Sequence, residues 1–126
     1  MTMKTSDNDE ALFRELVENE STKPTDTVVW EILWYRVSQA TLDDVRKVLL
    51  FDLSLGRGPL FCVSNERDAL RQFLAGEHEP DRLMRMVAYD ANTVLEDNTD
   101  AGARVFLQSL LAIYDEVLAA HSEAND

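Results

Sequence analysis

Along most of this chain, apolar residues return at the three- and four-residue spacing of an amphipathic helix. The places where that rhythm breaks mark the connections. Ala11, Leu12, Phe13 and Leu16 predict a first helix over residues 8–19, and the Ser21-Thr22-Lys23-Pro24-Thr25 run predicts a loop. A proline lacks the backbone donor and pushes its predecessor out of helical geometry. A second helix is expected from Thr25 or Asp26 to Ser38. It is apolar almost all round, interrupted only by Glu31 and Arg36. At about 100° per residue, Val29, Trp30, Leu33 and Val37 share an arc assigned to the core. Thr27, Glu31 and Ser38 form a polar strip with Trp34 and Tyr35 on either side of it.

Thr41 followed by Asp44 has the form of a capping box, opening a helix that buries Leu42, Val45, Leu49 and Leu53. Gly56 ends that helix, Gly56-Arg57-Gly58-Pro59 reads as a tight loop, and Leu60-Phe61-Cys62-Val63 as an extended segment against the core. A fourth helix, capped by Ser64 or Asn65, runs to Ala75. A fifth starts at Pro80 and carries Leu83, Met84, Val87, Ala91, Val94 and Leu95. After the polar break 96–100, Thr99 or Asp100 caps the longest helix, which extends to His121 with Phe106, Leu107, Leu110, Tyr114 and Val117 on its apolar arc. The expected fold is therefore a single all-α domain over residues 1–126. It is a compact bundle of five to six helices with a short extended segment near 59–63, and residues 1–7 and 122–126 frayed.

Composition supports a packed globule: 45% of the 126 residues are hydrophobic, and no stretch is long and apolar enough to span a membrane. Cys62 is the single cysteine and the N-terminus has no apolar secretion core, so a cytoplasmic location is expected. Charge changes the picture more. Twelve Lys+Arg against 24 Asp+Glu give −12, unevenly placed. Residues 27–58 are neutral with four charges of each sign, whereas residues 93–126 hold seven acids and only Arg104, hence −6. Such a field repels phosphates and anionic lipid heads and attracts basic surfaces, which argues against direct nucleic-acid or membrane binding. Solubility or adaptation to salt would leave the same acidic, lysine-poor composition.

Candidate chemistry is sparse. Cys62 in an apolar run reads as packing, and His78 between Glu77 and Glu79 lacks a second ligand at metal spacing. Asp97-Asn98-Thr99-Asp100-Ala101-Gly102 fails as a calcium loop, because Thr99 and Ala101 stand where carboxylate or amide oxygens are wanted and no glutamate follows at the twelfth position. No cofactor or metal is expected. Asp52 and Asp90 interrupt apolar helical patterns and are candidate buried polar groups, with Arg46, Arg82 and Arg85 as candidate partners.

The chain resembles, as a class and without a defining motif, small acidic helical proteins such as toxin-immunity proteins, phage anti-defence proteins, anti-sigma-type factors and secretion chaperones. That resemblance implies a non-enzymatic, protein-binding regulator or inhibitor. Electrostatic steering would bring it to a basic partner, and an aromatic anchor would then be buried. Trp34 and Tyr35 are the candidate anchors; Glu96, Asp97, Asp100, Asp115 and Glu116 are the candidate charged rim. A sharper version is mimicry of a nucleic acid by these carboxylates. The competing readings are a small helical enzyme or ligand-binding bundle working through Asp52, Asp90 or Tyr89, and a homo-oligomeric structural subunit. As a regulator the chain would be a monomer or a homodimer.

Overall fold

The computed structural model describes the backbone of residues 3–124 and the side chains of residues 8–124. Among the described residues the chain is helical with no strand. The elements are α1 (Met3–Ser21), α2 (Thr25–Ile32), α3 (Leu42–Leu53), α4 (Arg57–Ala75), the single turn α5 (Arg82–Met84) and α6 (Asp100–Ala124). Two of them change pitch. α2 continues into a π-helical turn, Leu33–Val37, and α5 into another, Arg85–Asp90. α4 packs against both α2 and α6, and α6 also packs against α3, so α4 and α6 form the spine. Leu107, Leu110, Tyr114 and Val117 line the buried face of α6. They meet Val63, Leu70 and Phe73 from α4 and Val45, Leu49 and Leu53 from α3 in one continuous core.

Local signals set several boundaries. The Thr41 hydroxyl accepts from the Asp44 N–H at 3.1 Å, and the Asp44 carboxylate accepts from the Thr41 N–H at 3.1 Å. Two of the orphan donors at the start of α3 are thereby satisfied. At α6, Thr99 Oγ1 accepts from the Gly102 N–H. Both terminal helices run beyond their expected ends, starting at Met3 and finishing at Ala124; the expected fraying at residues 1–2 and 125–126 lies outside the described residues.

Three expectations are overturned. The segment 59–63 is not extended but the beginning of α4. Gly56, at φ 129°, makes the break instead, and Pro59 falls in the first helical turn, where its missing N–H would have had no partner. Trp30 is not in the core. Val28 and Ile32 are buried with Val29, Leu33 and Val37, and this rotation of α2 leaves Trp30 41% exposed. Because α2 is apolar on nearly every side, periodicity could not fix its phase. Val94 was expected on a fifth helix, but that helix ends with the π-helical turn at Asp90, and Val94 is 97% exposed.

Candidate functional site

The two π-helical turns touch each other and bear most of the exposed aromatic surface. In the first, the Ser38 N–H reaches back five residues to the Leu33 carbonyl at 2.9 Å; in the second, the Ala91 N–H does the same to Met86 at 2.9 Å. Such turns are rare and often accompany functional sites, since they re-aim side chains without ending the helix. Trp30, one turn before the first, and Trp34, within it, stack with ring centroids 5.7 Å apart and planes 5° apart. Trp34 is 51% exposed, and Tyr89 on the second π turn is more exposed still. Beside Trp30 lies an open cleft of about 550 Å³ whose walls include Met86, Arg82, Arg85, Glu79 and Asp90. Arg82 is held by Asp26 at 2.6 Å, whereas Glu79 and Asp90 have no cationic partner among the described residues. The cleft therefore offers an apolar ledge edged by the carboxylates of Glu79 and Asp90 and by Arg85, which forms no ion pair among the described residues, leaving one acid in excess.

Tyr35 lies elsewhere. It is 75% exposed and lines a larger cleft, about 610 Å³, together with residues of α1, α3 and α4. On the wall of that cleft Arg36 is gripped from two helices. Its Nε and Nη2 donate to the two oxygens of Glu66 at 2.6 and 3.2 Å, and Nη1 donates to Asp52 at 2.8 Å. Glu66 also accepts from the hydroxyl of Tyr114, which is fully buried. Burial acts to lower the Arg36 pKa, but the hydrogen bond and charge of Glu66 outweigh it and hold the guanidinium firmly protonated. The same environment raises the Tyr114 phenol well above its usual value, first through burial and then through the neighbouring Glu66 charge. Across the cleft Lys23 donates to Glu20 and Glu31, each at 3.0 Å, and these hydrogen bonds raise its pKa.

Asp52 and Asp90 are thus not buried polar groups. Asp52 is a partly exposed member of the Arg36 ion pair, and none of Arg46, Arg82 or Arg85 is its partner. Asp90 is exposed at the lip of the aromatic cleft. An acid on an apolar stripe was read as an interior group, but in both cases it sits at the stripe's edge, within reach of solvent or of a cation.

The remaining candidate residues do not share one face. Glu96 and Asp97 are exposed beside a third hollow, about 490 Å³, lined by Val94, Val105 and Phe106. Asp100 is occupied by structure: its carboxylate accepts from the backbone N–H of Asp81 at 2.6 Å and of Met84 at 3.0 Å. Those N–H donors, Met84 foremost, lower its pKa. Asp115 accepts from Arg71 and Arg67, and Glu116 from Arg46 at 2.7 Å, so both α6 acids tie that helix to its neighbours. Trp34 is brought together with Trp30, not with Tyr35. Sequence reading missed Trp30, Glu66 and the buried hydroxyl of Tyr114. The available signal was Arg36, the only cation in an apolar helix, which required an acid partner.

Cys62 lies in the wall of the Tyr35 cleft, and burial followed by the charges of Glu20 and Glu66 raises its thiol pKa, which disfavours a nucleophilic thiolate. His78 packs on Phe73, with its Nε2 2.7 Å from the Phe73 carbonyl oxygen. No cluster of His, Cys, Asp or Glu suited to a metal ion occurs among the described residues, nor does any helix long and apolar enough to cross a membrane. No family model, curated protein or solved structure matches the chain.

Proposed function

We propose that this protein is a non-enzymatic, protein-binding regulator or adaptor that docks a basic partner surface on the Trp30–Trp34 ledge. The observation that carries the reading is that stacked pair, two large rings left half in solvent on a helix that changes pitch beneath them. Tryptophan and tyrosine dominate interface energetics because they bury much area at little entropic cost. Glu79 and Asp90 beside the ledge suit an arginine or lysine of the partner, and a cation can also sit over an indole face. The −12 charge of the chain favours encounter with such a surface. The bacterial or phage setting, immunity, anti-defence or adaptor-like, comes only from the class resemblance.

A nucleic-acid mimic would need free, ordered carboxylates, whereas Asp115 and Glu116 are bound to arginines. An enzyme working through Asp52 and Asp90 is less supported, because one is ion-paired and the other exposed. The test is affinity capture from source cells with the wild-type chain and with Trp34→Ala, at low and high salt. A protein retained by the wild type, released by salt and lost with Trp34→Ala supports the reading. The same retention by both chains, or a failure of salt to weaken it, overturns it.

A further inference from the structure

The larger cleft does not end at Tyr35. It shares Leu16 and Gly58 with a shallower hollow of about 410 Å³ lined by Leu12 and Leu55, so the two form one groove. α1 lines it from Asp9 to Glu20, with Lys23 just beyond that helix; α2, Val48 and Asp52 of α3 and Leu55 after it complete the sides, and the first turns of α4 form the floor. Gly58 gives that floor its depth. A Cβ there would come within 3.3 Å of the Leu16 side chain and press it outward.

Val48 on α3 and Leu55 in the turn that follows it line the groove, and both are exposed. Leu12 on α1 and Tyr35 on the π turn extend this apolar surface at the two ends. Contiguous exposed apolar surface of this kind marks an interaction site more often than single scattered side chains do. The α1 wall spans 12 residues, from Asp9 to Glu20, which at 1.5 Å per residue is roughly 17 Å, the length of a helix of about three turns.

Charge selects the occupant. Carboxylates outnumber cations five to three along the groove, and the three cations, Lys23, Arg36 and Arg57, are all held in ion pairs. A second copy of this chain would bring another −12 to an already negative surface. We infer that the groove binds an amphipathic helix of a partner protein, about three turns long in contact, with an aliphatic stripe flanked by lysine or arginine. Leu12, Leu16, Val48 and Leu55 receive the stripe, and the excess carboxylates around Glu20 and Glu31 receive the cations. This is helix-in-groove recognition, at a surface separate from the Trp30–Trp34 ledge and independent of it.

The experiment uses the full chain and three synthetic 16-residue peptides. One has leucines at i, i+3, i+4 and i+7 repeats with lysines elsewhere on its flanks. The second replaces each lysine by glutamate, and the third scrambles the first. Calorimetric titration should give saturable one-to-one binding of the first peptide, with at least tenfold weaker binding of the other two. Leu55→Asp should weaken the first peptide at least tenfold, whereas Trp34→Ala should leave it unchanged. Amide NMR shifts should change around residues 12–16 and 48–58. Equal binding of the scrambled peptide, indifference to Leu55→Asp, or shifts centred on Trp30 and Trp34 would overturn the inference. So would a dimer in light scattering that Leu55→Asp dissolves, because the second copy would then be the occupant. Both variants change exposed side chains, and unchanged circular dichroism confirms that they fold.

Discussion

The Tyr114 hydroxyl of α6 and the Arg36 guanidinium of the π turn donate to the same oxygen of Glu66, Oε1. One carboxylate on α4 thus joins three elements at the edge of the core. Tyr114 is fully buried, so its hydroxyl depends on that partner, and Glu66 depends on its two donors for its charge.

Tyr114→Phe removes one donor and keeps the ring. It should lower stability by about 1.5–3 kcal/mol, the scale of a hydrogen bond to a charged group, read as a lower urea midpoint at unchanged m. The raised Tyr114 pKa adds a pH signature. Its stabilising contribution is complete below the unfolded tyrosine value near ~10 and is lost progressively above it, because only the unfolded chain then ionises readily. The phenylalanine variant should lack that part of the alkaline decline.

Arg36→Met leaves Glu66 and Asp52 without their cation. Breaking a largely buried pair from one side costs about 3–5 kcal/mol, and the Arg36 side chain is only 15% exposed. Removing the exposed cation of the Arg46–Glu116 pair by Arg46→Met should shift the midpoint far less. Equal effects of the two substitutions in chemical denaturation would mean that the Arg36 network is as solvated as the surface pair.

Asp100 should govern part of the acid limb. Its pKa is lowered by the N–H groups of Met84 and Asp81, so its contribution is present above the ordinary aspartate value of about 4. It is lost as pH falls through the lower folded value. Asp100→Asn should therefore flatten stability against pH below about 4, and speed amide exchange in α5 without affecting α3.

What could be read in advance follows from how local each cause is. The Thr41–Asp44 box needs only four residues, and the buried arc of α6 stands out against Gln108, Ser109, Asp115 and Glu116 on its other side. Longer-range causes were hidden. The phase of α2 is chosen by how Val28 and Ile32 pack, not by its own nearly uniform hydrophobicity. Gly58 and Pro59 look like breakers until Gly56 takes that role and leaves them in a first turn. Wide turns have no sequence signature, so neither the stacking of Trp34 on Trp30 nor the early end of the helix before Val94 was legible. The candidate acids on α6 were correctly located along the chain, but their arginine partners lie 44 to 70 residues away.

Gly102→Ala tests how tightly the turn before α6 is folded onto it. A Cβ there would stand 1.9 Å from the Asp97 carbonyl oxygen, which is backbone and cannot swing aside alone. The loss in stability should reach or exceed the upper end of the ~1–3 kcal/mol usual for overpacking. Crystallography or NMR should show the 96–99 segment displaced, with α4 unchanged.

Both tryptophans of the chain stand in the single stack of Trp30 on Trp34. Tryptophan emission, excited to the red of tyrosine absorption, is therefore a one-site optical signal. It reports solvent at the aromatic ledge and is blind to the groove beyond Tyr35. A partner that covers the ledge should shift the emission to the blue, and a peptide seated between α1 and α3 should leave the spectrum in place. The unlabelled wild-type protein thus carries its own means of telling two docking events apart.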